Sequence, residues 1–514
     1  MLQAAAVFSD NMVLQRDKKL RVFGRGDEGS RITVALCGKT GDTVCRDGKW
    51  VVYLPPLPAA EGAAMEISDG TDTVRFENIA IGEVWLAGGQ SNMELELQNA
   101  DGGKELLRGG VKENKILEKI RFYYTPKAAC EGEELLALEA ESGWELFNEA
   151  DAAKWSAVAT FFAKDLAQRL ADEGMDVTVG IIGCNWGGTS ASAWMSVEAL
   201  LEQEATRSYV EDYESSPDVR KTREEQRRDY EEYLAYQEEW DKKAAKVYEK
   251  DPMIAFDKVQ ELIGPCRYPG PVNCFNYTRP AGLYQTMLRR IAPYSLRGFL
   301  YYQGESDDHR PQDYYALFTR MIRQWREDFE DEDLPFMLVQ LPMHRYQHDP
   351  DTKSWCLIRE AQMKACRTLR NTGIAVIIDC GQFHEIHPAN KKPVGERLAL
   401  QALAQVYRLI PREKAFGPVY RDFLYRDGGM EISFFYAQDG FEVKGELTGF
   451  EIAGEDGCFY PARALITGDN RIFLSSEEVE RPFAARYLWT NYGEVTLFGA
   501  GGLPAAPFRT HVFS

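Results

Sequence analysis

Ile81-Gly82-Glu83-Val84-Trp85-Leu86-Ala87-Gly88-Gly89-Gln90-Ser91-Asn92-Met93 decides how this chain is read. An apolar strand runs into two glycines, and a serine follows at once. Small residues before a serine at a strand end let the backbone turn sharply and leave the hydroxyl exposed. A nucleophilic serine needs that exposure, together with a base within reach. Most Gly-Ser turns are only turns, so the stretch gains its meaning from three later segments.

Gly183-Cys184-Asn185-Trp186-Gly187-Gly188-Thr189 follows the apolar run 177–182. Gln303-Gly304-Glu305-Ser306-Asp307 follows 298–302, and Asp379-Cys380-Gly381-Gln382-Phe383-His384-Glu385-Ile386-His387-Pro388 follows 374–378. Four apolar runs thus end in glycine-bearing polar loops. In open α/β sheets ligands sit outside the carboxyl ends of the strands, so the four loops are expected at one crevice.

The four segments, in this order, resemble the sialate O-acetylesterase group of carbohydrate esterases within the SGNH (GDSL-type) hydrolases. Phe8 to Gln15, Leu334-Pro335-Phe336, Val339-Gln340-Leu341, Arg359 to Gln362 and Lys391 to Ala399 also fit that group. The resemblance implies a three-layer α/β/α hydrolase domain with a β-sandwich-like module at either end. It implies a serine esterase that removes O-acetyl groups from mono- or oligosaccharides without metal or organic cofactor. Acetylated xylan, mannan or another plant glycan is the alternative substrate. A carbohydrate-binding protein with a dead site is the alternative of another class.

By the resemblance, Ser91 is the nucleophile and His387 the base. The group usually carries Asp three residues before the histidine; here that position holds His384. Glu385 is the first choice for the acid, Asp379 the second, and a Ser-His dyad oriented by a backbone carbonyl the third. The oxyanion hole is assigned to the Ser91 and Gly188 N–H groups. Gln303 supplies a side-chain amide where many SGNH enzymes have Asn. Glu305, Asn92, Trp186 and Trp194 are assigned to substrate binding, with core packing an equal alternative for the tryptophans. His309 and His344 read as surface or rim residues.

Composition narrows the partners. With 514 residues the chain can bury a large core and form two to four domains. A net charge of −20 argues against nucleic acid and anionic membrane, which require basic patches. No run approaches the roughly 18 apolar residues of a membrane helix. The amino terminus lacks a leader pattern, and the ten cysteines are scattered without a C-x-x-C pair. They read as buried free thiols in a reducing, cytoplasmic setting, with a Cys266–Cys274 disulfide as the minor alternative.

Short strands over 1–80 suggest an antiparallel sandwich, and strands alternating with helices over 81–414 suggest a parallel sheet. Within the latter, 199–260 is a charged helical insertion. It reads as a solvated face first, then as a lid or a homo-oligomer contact. Strand patterns return over 415–514 as a carboxy-terminal β domain, expected against the amino-terminal sandwich.

Three decoys are set aside on physical grounds. Gly24-Arg25-Gly26-Asp27-Glu28-Gly29 matches a dinucleotide fingerprint, but a strand rather than a helix follows it. His384 and His387 are spaced i, i+3 before a proline, not i, i+4 on a helix face, so they need not converge on zinc, which is left as the minor alternative. No G-x-S-x-G elbow occurs.

Overall fold

The computed structural model describes residues 1–251, 254 and 256–512. Its centre is a parallel sheet of six strands: β1 (Thr73–Gly89), β2 (Ile120–Tyr124), β3 (Val179–Asn185), β4 (Gly298–Tyr302), β5 (Phe336–Gln340) and β6 (Thr372–Val376). Their order is β2-β3-β1-β4-β5-β6, and Glu145–Leu146 adds a short antiparallel edge beside β2. β2 to β6 are buried along nearly their whole length. That explains why they read as continuous apolar runs, since both faces of a parallel sheet are covered. The helices α1 (Ser91–Glu94), α2 (Ala157–Asp172), α3 (Arg223–Lys250), α4 (Tyr314–Asp328), α5 (Ser354–Thr368) and α6 (Lys392–Ala402) complete the frame.

The register places the loops. Asn185 of β3 and Tyr302 of β4 both lie level with Gly89 of β1. Three loops therefore leave the sheet at one height, on the two sides of its central strand. β1 starts the chain's path through the sheet, and the path continues to one side and then to the other, which opens a crevice at β1.

β1 also runs through the boundary set at residue 80. Its first part pairs antiparallel with Ala60–Ser68, and its last part pairs with β3 and β4. Burial changes from alternating to continuous at Ile79. The amino-terminal module is thus joined by a change of pairing partner inside one strand. Strands Leu20–Arg25, Arg31–Leu36 and Lys49–Leu54 form where β-branched alternation predicts them.

The carboxy-terminal part holds two four-stranded antiparallel sheets and one two-stranded sheet. Its position differs from expectation. The recorded ties of the described residues lead to the central domain, not to the amino-terminal sandwich. Asn491 Oδ1 accepts the Trp355 N–H at 3.1 Å, and Arg509 pairs with Glu360. Both partners lie on α5, whose outer face the module covers. No described helix is long and apolar enough to cross a membrane. All ten cysteines are free thiols, and Cys37 and Cys458 are exposed rather than buried.

Candidate active site

Gln90 ends the β1 turn and Ser91 opens α1. Gly89 has φ +133°, and a Cβ there would stand 2.1 Å from the Tyr302 carbonyl oxygen, so only glycine permits this strand-to-helix corner. Across the crevice, the loop after β6 carries His387. Its Nε2 lies 2.8 Å from the Ser91 Oγ. His387 is open to the pocket, yet desolvation of its ring by the surrounding walls lowers its pKa; the Lys391 charge adds to that shift, and the Glu385 and Glu94 charges oppose it. The imidazole is therefore neutral, as a base must be, at pH 7.

Glu385 does not meet the ring. Its Oε1 accepts the backbone N–H of His387 at 2.7 Å, fixing the loop rather than the tautomer. Two residues of separation are too few for the side chain to take both positions. Asp379 is committed elsewhere, to a bidentate pair with Arg397 at 2.5 and 2.7 Å. Among the described residues, no carboxylate is recorded on the far nitrogen of His387.

Gly188 has φ +71°, and a Cβ there would lie 1.9 Å from the Tyr268 hydroxyl. A Cβ on Gly187 would come within 3.2 Å of the Ser91 Cβ, so this loop lies directly against the serine. Among the described residues the backbone N–H groups of Ser91 and Gly188 have no recorded intramolecular acceptor. Both are free to donate to a substrate.

Three expected contacts fail. Gln303 is 1 % exposed; its amide donates to Asp307 at 2.6 Å and to the Thr189 carbonyl at 3.2 Å. Both N–H groups are consumed, so Gln303 is not an oxyanion donor here. Trp194 is fully buried with its indole N–H on Thr189, so it cannot stack on a sugar. Asn92 is also fully buried. Its amide donates to Glu305 at 2.5 Å and to the Ile386 carbonyl at 2.9 Å, and its oxygen accepts from Lys391 at 2.5 Å. Asn92 thus ties the serine's helix to the histidine loop rather than binding substrate.

Glu305 and Lys391 complete that buried cluster. Burial raises the Glu305 pKa and lowers that of Lys391 to about 8, in each case against the opposite charge of the other. Glu305 also lines the pocket. His344 is likewise buried, at 2 % exposure, rather than a surface residue, whereas His309 is exposed on the pocket wall.

Ser91 and His387 sit in a pocket of about 910 Å³. Its aromatic wall comprises Trp186, Tyr209, Tyr213, Tyr268, Tyr277 and Tyr346. Trp186 stacks on Tyr277 with centroids 4.4 Å apart and planes 7° from parallel. Tyr209 and Tyr213 come from the helix Glu204–Ser215, so the charged insertion supplies part of the site. α3 holds the following segment in place: the Gln226 carbonyl and side-chain oxygens accept from Asn273 Nδ2 and the Cys274 N–H, each at 3.0 Å. The reading of 199–260 as a solvated face holds for the outer sides of its helices but not for Tyr209, Tyr213 or Gln226, which turn inward.

Glu94 is a site residue that sequence reasoning missed. It stands three positions after Ser91 on α1, so both side chains share one helix face. It accepts the Gly187 N–H at 2.5 Å and pairs with Lys127. The i, i+3 spacing from the serine was the available signal. Among the described residues, no group of three or more His, Cys, Asp or Glu is arranged to hold a metal ion.

A family model described as "Carbohydrate esterase, sialic acid-specific acetylesterase" matches residues 266–404, which include the loops after β4 and β6. The sialate O-acetylesterase of Rattus norvegicus is 26% identical over 559 residues, covering 99% of this chain and 94% of the relative. That of Homo sapiens is 24% identical, covering 98% and 91%. A carbohydrate acetylesterase from Xanthomonas citri superposes with a TM-score of 0.75 at 28% identity, covering 99% of this chain and all of that one. The chain is similar to these proteins from end to end, both flanking modules included.

Proposed function

We propose that this chain, a carbohydrate esterase of the sialate O-acetylesterase kind, removes O-acetyl groups from carbohydrates through an acyl-enzyme on Ser91. The 2.8 Å contact between Ser91 Oγ and His387 Nε2, on the floor of an aromatic-walled pocket, carries this reading. Ser91 attacks the acetyl carbonyl while His387 takes its proton. The Ser91 and Gly188 N–H groups receive the oxyanion. As the intermediate collapses and the acyl C–O bond to the sugar breaks, the His387 imidazolium protonates the departing sugar oxygen, which leaves as a hydroxyl. In the second half, His387 deprotonates a water that attacks the acetyl-enzyme; acetate leaves and Ser91 regains its proton.

Glu385 acts in this scheme at one remove. Its charge favours the imidazolium that forms during attack, and its bond to the His387 backbone holds the loop. The catalytic pair is therefore Ser91-His387, with the loop as its orienter. A dead binding protein is disfavoured, because a neutral histidine already hydrogen-bonded to the serine is what turnover requires.

Turnover of 4-nitrophenyl acetate, together with labelling by a fluorophosphonate, tests the assignment. Ser91→Ala is expected to keep its fold, lose nearly all activity and escape labelling. Labelling of another residue, or a Ser91→Ala variant near wild-type rate, sinks it. A panel of O-acetylated sialic acids and acetylated xylan and mannan oligosaccharides then ranks substrates by kcat/KM. The similarity to sialate O-acetylesterases favours the sialic acids.

A further inference from the structure

We infer that Glu94 and Tyr268 are positioning residues of the oxyanion site, pinning the peptide units on either side of the one that carries the Gly188 N–H. The inference rests on the proposed role of Gly188 and adds two residues to it.

Gly187-Gly188 is the most conformationally permissive dipeptide possible, since neither residue has a Cβ to restrict φ and ψ. Left alone, such a loop would not hold an N–H within the tolerance an oxyanion site requires. The structure anchors it twice. Glu94 Oε2 takes the Gly187 N–H at 2.5 Å, fixing the peptide before the critical one. Tyr268 Oη donates to the Gly188 carbonyl at 3.2 Å, fixing the peptide after it. The middle peptide is held between two fixed neighbours, and its N–H has no recorded partner among the described residues.

The two anchors come from opposite sides. Glu94 shares α1 with Ser91, so nucleophile and oxyanion loop are referred to one rigid element; Lys127 pairs with its other oxygen. Tyr268 comes from the segment that follows the charged insertion. That segment is itself built in: Trp240 and Tyr236 of α3 donate to the Gly264 and Pro265 carbonyls at 2.7 and 2.6 Å. Asn276 donates to the Pro269 and Pro271 carbonyls at 2.9 and 3.0 Å. Tyr268 is half-exposed, at 49 %, and desolvation of its hydroxyl raises its pKa, so the phenol keeps the proton it donates. The segment braced by α3 thus reaches the Gly188 peptide through the Tyr268 hydroxyl.

Tyr268→Phe removes that hydroxyl and keeps the ring. Glu94→Ala removes the other anchor, and Glu94→Gln keeps an acceptor oxygen for the Gly187 N–H. On 4-nitrophenyl acetate, Tyr268→Phe is expected to lower kcat about tenfold, and Glu94→Ala by about 10–10²-fold. Both stay below the 10²–10³ that loss of an entire oxyanion donor costs. Glu94→Gln should stay within about threefold, and KM should hardly move, because the contact matures only in the transition state. Since both anchors act on one N–H, the double variant should lose less than the product of the single losses.

Inhibition by an alkylboronic acid, whose tetrahedral adduct on Ser91 presents an oxygen to the same donors, should weaken by the factor that kcat/KM loses. Wild-type kinetics in Tyr268→Phe and Glu94→Ala, or unchanged boronate inhibition in slowed variants, overturns the inference. Ser91→Ala run in parallel separates the two claims. If it is inactive while the anchor variants are normal, only the positioning role fails. If it is active, the proposed function fails.

Discussion

The Gln303 amide lies 2.6 Å from the Asp307 carboxylate, inside the wall of the site rather than on its surface. Asp307 also accepts from Ser190 Oγ at 2.6 Å, the Ala191 N–H at 3.0 Å and Tyr209 Oη at 3.1 Å. One fully buried carboxylate thereby gathers the loop after β3, the insertion's first helix and the loop after β4.

Gln303→Met should accordingly behave as a stability variant. Losing one hydrogen bond to a buried charge costs about 1.5–3 kcal/mol. Its kcat should fall less than about tenfold, short of the loss expected from deleting an oxyanion donor. Urea denaturation beside steady-state kinetics checks this; a catalytic loss without a stability loss would return Gln303 to the oxyanion site.

Asn92→Leu should be severe in both respects. It leaves the buried Glu305 and Lys391 without the amide that joins them, and breaking a buried charged network costs about 3–5 kcal/mol. It also frees the Ile386 carbonyl, and with it the loop of His387. Thermal melts and the rate on 4-nitrophenyl acetate measure the two effects.

The pH profile should place the acid limb of kcat/KM below the ordinary histidine value of about 6.5, because desolvation lowers the His387 pKa. Glu385→Gln removes a charge that raises it, so the limb should move to still lower pH. The glutamine retains an acceptor for the His387 N–H, so the loss in kcat should stay within about tenfold. A loss of about 10⁴, as when a tautomer-fixing carboxylate is removed, would show that Glu385 does engage the ring during turnover.

His344 should make stability depend on acid. Burial lowers its pKa to about 4, so the folded protein holds the neutral ring while the unfolded chain binds a proton below about 6.5. Stability therefore falls as pH drops from about 6.5 towards 4, by up to about 3 kcal/mol from this residue. Denaturation at pH 7 and pH 4.5 measures the slope. In His344→Phe the slope should be shallower over that window.

Tyr277→Ala removes the face that supports Trp186 in the pocket. KM for acetylated oligosaccharides should rise about 5–10-fold, in line with an aromatic pair worth about 1 kcal/mol. Turnover of 4-nitrophenyl acetate should hardly change. Equal losses on both substrates would place Tyr277 in the chemistry instead.

Ser91, His387 and the glycines around them were legible in the sequence because each sits in a short segment whose composition states its task. Apolar runs leading into glycine-bearing polar loops announced the ends of β1, β3, β4 and β6, and parallel strands buried on both faces must read that way. The strand order and the shared height of Asn185, Gly89 and Tyr302 turned those four segments into one crevice. The destination of each polar side chain was not legible. Glu385, Gln303 and Asn92 all carry groups suited to catalysis, and all three spend them on other groups of the protein. Partners as far as 299 positions apart are set by tertiary contact, and even Glu385, two positions from His387, takes the backbone N–H rather than the ring. Tyr268 was missed for the same reason, since a phenol acquires meaning only beside the Gly188 carbonyl; Glu94 was missed although its i, i+3 spacing from Ser91 stood in the sequence. Local sequence determined where the chain turns and which residue types stand at each turn, because backbone freedom and apolar runs are properties of neighbours in the chain. Only the folded structure decided which of those groups faces the substrate, because a buried donor or acceptor must be satisfied by whatever the packing brings to it.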